Sequence, residues 1–236
     1  MSNSSRDGSS ASLAISELYI EAYESFVEFA RTLSDDEWST AMQCTPEWTV
    51  REVLSHVAGI PDDGLAGRLD GFPGEPWTAA QIERNRDCSI VELFDRWDVQ
   101  ASEFAAAIEA MGEPRPAFDC HTHEHDIRHA IGRPGNRDTN IVDTAGTGFA
   151  DGFTTPFAVT IEFEDGRSFS SGGEADTDSL GVTLRGVTPF DLFRSRLGRR
   201  TRDQVRGLDW VGADEDIDLV IDDWFVFGPS EIPIDE

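Results

Sequence analysis

The chain has 236 residues, 39% of them hydrophobic, with six Trp and fifteen Phe spread along its length. That composition excludes wholesale disorder and allows a sizeable core, in one large domain or two small ones. Against 46 acidic residues stand only 19 basic ones, and the formal net charge of −27 excludes nucleic acid as a partner by repulsion.

Residues 1–11 form a polar stretch with no apolar signal region behind it, read as a disordered tail of a cytoplasmic protein. Leu13, Ile15, Leu18, Ala22, Phe26, Phe29 and Leu33 recur at helical spacing and predict a long amphipathic helix over 12–33. Ser34 with Glu37 three residues on marks a capped short turn. Thr49 and Glu52 have capping-box spacing and open a second helix carrying Val53, Leu54, Val57 and Ile60, with His56 on or beside its apolar face.

Residues 61–77 are rich in Gly, Pro and Asp and read as a loop, with a short helical turn at 64–69. Ser89 and Glu92 start a third helix that continues through Leu93, Trp97, Phe104 and Ile108 to Met111 and is broken by Pro114 and Pro116. A fourth runs over about 117–131 and stops at Gly132-Arg-Pro-Gly. Four such helices with short connections predict an antiparallel bundle. No stretch approaches the roughly 18 apolar residues of a membrane span.

After Asn136 the texture changes. Residues 157–164 alternate with period two and lead into Asp165-Gly166, a hairpin signal. Residues 180–186 read as another strand, and 189–198 as a helix ending at Gly198. Residues 217–221 read as a strand or the start of a helix, and 222–227 lead into a ragged tail. Helices grouped first and strands grouped after them predict an α+β chain, with a four-helix bundle over 12–138 and a small α+β domain over 139–236.

The densest chemistry lies at 119–129, Asp-Cys-His-Thr-His-Glu-His-Asp-Ile-Arg-His, which holds four of the five histidines; the fifth is His56. Histidine with interleaved carboxylate is a transition-metal donor set. Residues four apart share a helix face, so Asp119/His123, His121/His125 and His125/His129 each qualify as a pair. They point in different directions, and spacing alone leaves the register open. Cys44, Cys88 and Cys120 make no CxxC pair and suggest no disulfide framework. Cys120, beside the run, reads as a small buried residue rather than a thiolate ligand.

Thr45-Pro-Glu-Trp-Thr-Val-Arg-Glu-Val-Leu-Ser-His-Val-Ala-Gly resembles the signature of the mycothiol-dependent maleylpyruvate isomerase family, part of the wider DinB-like metal-binding bundles. The family's second segment is a Glu, three residues, a His, two residues, then Asp-Ile-Arg and a Gly-Arg-Pro stop. Here Asp126-Ile-Arg-His-Ala-Ile-Gly-Arg-Pro is similar. Counting back from Asp126 sets the family's His on His123 and its Glu on Asp119, one methylene shorter than the family pattern. The resemblance extends to Val187-Thr-Pro-Phe-Asp-Leu-Phe and Gly198-Arg-Arg-Thr-Arg-Asp-Gln-Val, which look like the family's sterol-carrier-like C-terminal domain.

The resemblance implies one ion, Zn²⁺ or another divalent metal, held by His56, Asp119 and His123. His121 would stand where relatives carry an aromatic, with His125 and His129 off the site. Three protein ligands with open coordination is the catalytic pattern, and a divalent ion turns a bound thiol into thiolate at neutral pH. In the family the thiol is mycothiol, whose thiolate adds to an activated double bond, allows rotation to the trans isomer and leaves. The implied partners are therefore a low-molecular-weight thiol and a small anionic electrophile, with the chain a monomer or homodimer acting as isomerase or thiol transferase.

An anionic substrate needs a local cation. Six of the 19 arginines lie in 194–206, and Arg199, in the Gly-Arg step that resembles the family motif, is the candidate for carboxylate reception in catalysis. Arg84 and Arg86, near the start of the third helix, are the cofactor-binding candidates. The alternative is a non-catalytic metal- or apolar-ligand-binding module.

Overall fold

A computed structural model describes residues 13–155, 158–171 and 181–236. The expected tail at 1–11 and the first residues of two expected strands, Phe157 and Leu180, lie outside the described residues. Helix α1 (Ile15–Ala30) buries Leu18, Tyr19, Ala22 and Phe26 against α6 (Ile90–Met111) and α7 (Arg115–Ala130). Helix α2 (Asp35–Trp38) is a single turn capped by Ser34 and Glu37, as the spacing predicts.

The second arm of the bundle is made of two pieces, α3 (Val50–Val57) and α4 (Gly59–Ala66), joined at Ala58. The Gly, Pro and Asp content of 61–77 predicts a loop with only a short helical turn at 64–69. Pro61 instead falls in the first turn of α4, where its missing N–H would have had no helical partner anyway. The arm runs on to Gly67, whose φ of +68° closes it in the left-handed region.

Helix α5 (Glu75–Arg84) is a second correction to that loop. Gly74 as N-cap and Pro76 in the first turn are its start signals. Around one core, Trp97 is fully buried and its indole N–H donates to Tyr19 Oη at 2.9 Å. Each buried Leu or Phe of that core contributes about 1.5–3 kcal/mol.

A helix for which the sequence reading placed no element comes before the strands. This is helix α8 (Asn140–Asp151), capped by the Thr139 hydroxyl, which accepts from Val142 N at 3.2 Å. Two glycines and two threonines give this segment low helix propensity, so packing makes it a helix. Gly146 meets α9 (Pro189–Arg196) so closely that an added Cβ would lie 2.5 Å from Pro189 O.

Strands β1 (Val159–Phe163) and β2 (Ser168–Ser171) form the expected antiparallel hairpin, and β3 (Val182–Val187) pairs parallel to β1. With β4 (Asp209–Val211) antiparallel to β3, the sheet order is β2-β1-β3-β4. Helix α10 (Arg202–Arg206) lies before β4. Residues 217–221 belong to helix α11 (Asp214–Asp222), with Ile217, Val220 and Ile221 buried on one face. The chain is thus α+β, a helical part followed by a small four-stranded sheet unit.

Both the 222–227 segment and the expected ragged tail after it are anchored. Trp224 and Ile234 are buried, Val226 N donates to Arg196 O, and Ile234 N donates to Gln204 Oε1. No described helix is long and apolar enough to cross a membrane.

Candidate metal centre

Capping at Thr49 orients α3 so that Val50, Val53, Leu54 and Val57 face the core and His56, 5% exposed, is buried with them. Asp119 and His123 stand one turn apart on α7, which packs on α3. One donor atom from each of His56, Asp119 and His123 lies within 4.8 Å of the others. His56 Nε2 is 3.3 Å from Asp119 Oδ2, and His123 Nε2 is 3.6 Å from Asp119 Oδ1. Two donors each about 2.1 Å from a zinc ion stand roughly 3.4 Å apart in a tetrahedron. Both contacts have that spacing.

Asp119 Oδ2 is shut off from solvent without a hydrogen-bond partner, an unmet demand that a cation would satisfy. The rest of the Asp119 side chain is 39% exposed, so the trio opens to solvent on that side. Burial works to raise the Asp119 carboxyl, but His123 and His56 outweigh it and bring it down to about 2. Burial works to lower His56, and the Asp119 carboxylate beside it more than reverses that. The residues present fit a divalent ion.

Each imidazole has a partner behind it. Gln81 of α5 accepts from His56 Nδ1 at 2.6 Å, which leaves Nε2 bare toward Asp119. The sequence reading passed over Gln81 because it passed over α5. Its signal was the Gly-Glu-Pro helix start, which aligns Trp77 and Gln81 one turn apart. Trp77 packs edge-on to His56 at 6.0 Å between ring centroids, and Trp48 covers His56 at 5.8 Å and His123 at 6.4 Å.

His123 Nδ1 is 3.2 Å from Asp126 Oδ2. Asp126, 1% exposed, is gripped by Arg194 at 2.7 Å and Arg199 at 2.8 Å. Burial opposes its ionisation, yet Arg199 and Arg194 hold its carboxyl well below the usual carboxylate range. Arg199 thus reaches the neighbourhood of the trio through Asp126. Arg84 is tied to the buried Asp63, and Arg86 to Glu83 on the surface, so both have partners of their own.

The remaining histidines point elsewhere. His121 and His125 meet edge to face at 4.7 Å and pack on Phe193 and Phe190. Burial, with Arg194 nearby, pushes His121 down to about 3. His129 Nε2 contacts Gln43 Oε1 at 2.8 Å. Cys120 is buried outside the trio, and burial first of all lifts its thiol well above the usual range.

Residues 21–130 match the family model for the mycothiol maleylpyruvate isomerase N-terminal domain. Over that span the chain is similar to this family's N-terminal domain. His56, Asp119 and His123 all lie inside the matched span of the mycothiol maleylpyruvate isomerase domain, as do Gln81 and Asp126. Arg194 and Arg199 lie beyond it. Neither a curated protein nor a solved structure matches the chain.

Proposed function

We propose that the chain is a metal-dependent isomerase or thiol transferase that uses mycothiol or a similar low-molecular-weight thiol on a small anionic electrophile. The observation that carries this reading is the His56–Asp119–His123 trio, three donors of zinc type gathered within 4.8 Å of one another at a solvent opening. In this reading the bound ion, Zn²⁺ by its donor set, supplies the positive charge that keeps a bound thiol ionised near neutral pH.

The chain's own residues do the rest. Gln81 holds the His56 proton at Nδ1, so the other nitrogen stays available as a donor. Trp48 and Trp77 wall the imidazoles on two sides and limit water there. Arg199 offers five N–H donors; Asp126 takes two of them and Leu197 O a third. Two remain for the carboxylate of an anionic substrate, which a −27 chain would otherwise repel. In this reading the chain divides near residue 138, with the ion in the first part and Arg199 in the second. The free Cys44, Cys88 and Cys120 suit a reducing compartment.

The test is turnover of an activated cis-alkene bearing a carboxylate, measured with a panel of small thiols, with and without chelator. Thiol-dependent turnover that chelator abolishes is expected. No rate with any thiol, together with tight binding of an apolar ligand, would leave only a binding module.

A further inference from the structure

Arg194 is wholly buried and uses its guanidinium as a clamp on the turn of α7 that carries His123. Its Nη2 donates to Asp126 Oδ1 at 2.7 Å, and its Nη1 to the carbonyl oxygen of Thr122 at 3.1 Å. Glu236 accepts from its Nε at 2.9 Å and neutralises the second charge of the cluster. Arg199 donates to the other Asp126 oxygen, Oδ2, at 2.8 Å. That oxygen faces His123 Nδ1 at 3.2 Å. Nδ1 is buried and makes no well-aligned hydrogen bond, so the acceptor beside it that can meet its demand is Asp126.

We infer that Asp126 is a positioning residue for the metal-binding His123, and that Arg194 and Arg199 make this role depend on the C-terminal part of the chain. The inference rests on the metal-centre reading above and deepens it. A carboxylate behind a ligating imidazole fixes which nitrogen carries the proton and raises the basicity of the other. His123 then presents Nε2 to the ion, as His56 does through Gln81. The two differ in kind. A neutral amide backs His56, whereas a carboxylate held by two arginines from outside the matched family domain backs His123. A clamp with no role at the ion would have no reason to face an imidazole whose other nitrogen meets Asp119.

The experiment is zinc titration of the full chain against a chromophoric chelator, for the natural sequence, Asp126→Asn and Arg194→Lys, with circular dichroism to verify folding. Asp126→Asn is expected to weaken zinc about 10- to 100-fold. Arg194→Lys keeps the charge without the fork and is expected to weaken zinc less; unchanged affinity there overturns the clamp. Imidazole nitrogen NMR of the zinc-loaded natural chain needs no variant and decides the case if Asp126→Asn does not fold. A proton at His123 Nδ1 supports the inference, and a His123 bound through Nδ1 overturns it. Equal affinity in Asp126→Asn and the natural chain overturns this inference and leaves the metal centre standing. A natural chain that takes up no zinc overturns both.

Discussion

Arg194 Nη2 lies 2.7 Å from Asp126 Oδ1 with neither side chain more than 1% exposed, and this pair pins α9 to α7. The cation is as deep as any hydrophobic side chain of either half. Such a pair adds little over a well-packed apolar replacement, but breaking it strands the remaining charge in a medium that cannot solvate it.

Arg194→Met therefore leaves Asp126 and Glu236 short of their shared partner. The expected loss is about 3–5 kcal/mol of stability. Urea unfolding measures it, and a loss well under 1 kcal/mol would contradict the buried ion-pair account.

The metal trio makes a separate prediction. His56→Ala and His123→Ala should each lose most bound zinc, because each removes one of three donors. Asp119→Glu should retain it, since the carboxylate stays and matches the family pattern. Metal analysis of the purified proteins decides this, and unchanged content in both alanine variants would refute the assigned register.

Gln81→Leu tests the partner behind His56. With its acceptor gone, the His56 Nδ1 proton has no fixed place, and zinc affinity should fall by about tenfold. The same titration reads it. Full affinity in a folded Gln81→Leu would mean that the tautomer of His56 is set by something else.

Glu236 sets an expectation in pH. Burial works to raise its carboxyl, but Arg194 and Arg200 outweigh that and hold it below the ordinary 4.5. With the folded value lowered, the unfolded chain takes up the proton first as pH falls. The stabilisation is complete above the unfolded value of 4.5 and is lost as pH drops through the folded one. Glu236→Gln should accordingly lower stability at neutral pH and flatten the acid limb below the ordinary 4.5. An acid limb of unchanged slope in urea midpoints would remove Glu236 from the clamp.

Gly146→Ala probes the α8–α9 contact. The new Cβ would meet Pro189 O at 2.5 Å and Pro189 Cα at 2.7 Å, backbone atoms that cannot step aside. A cost of about 1–3 kcal/mol is expected. A variant as stable as the natural chain, by thermal melting, would show that the two helices can separate without penalty.

Local chemistry wrote the starts of the bundle arms into the sequence, whereas helix spacing alone left the register of the histidines open. Ser34, Thr49 and Ser89 cap helices through residues three places on, and His56, Asp119 and His123 were legible through family spacing. The same local rules misread much of 61–77, where Pro61 falls in a first turn, and placed no element at 140–151, where packing on a neighbouring helix makes a helix of a glycine-containing segment. What only the tertiary structure decided is the ground behind the candidate ligands. Gln81 and Trp77 arrive on α5, and Arg194, Arg199 and Glu236 arrive from far along the chain. A run of arginines looks alike in sequence whether it is solvated or buried. Desolvation distinguishes them, because a guanidinium at 0% exposure must find carboxylates, and in this fold it finds the one beside His123.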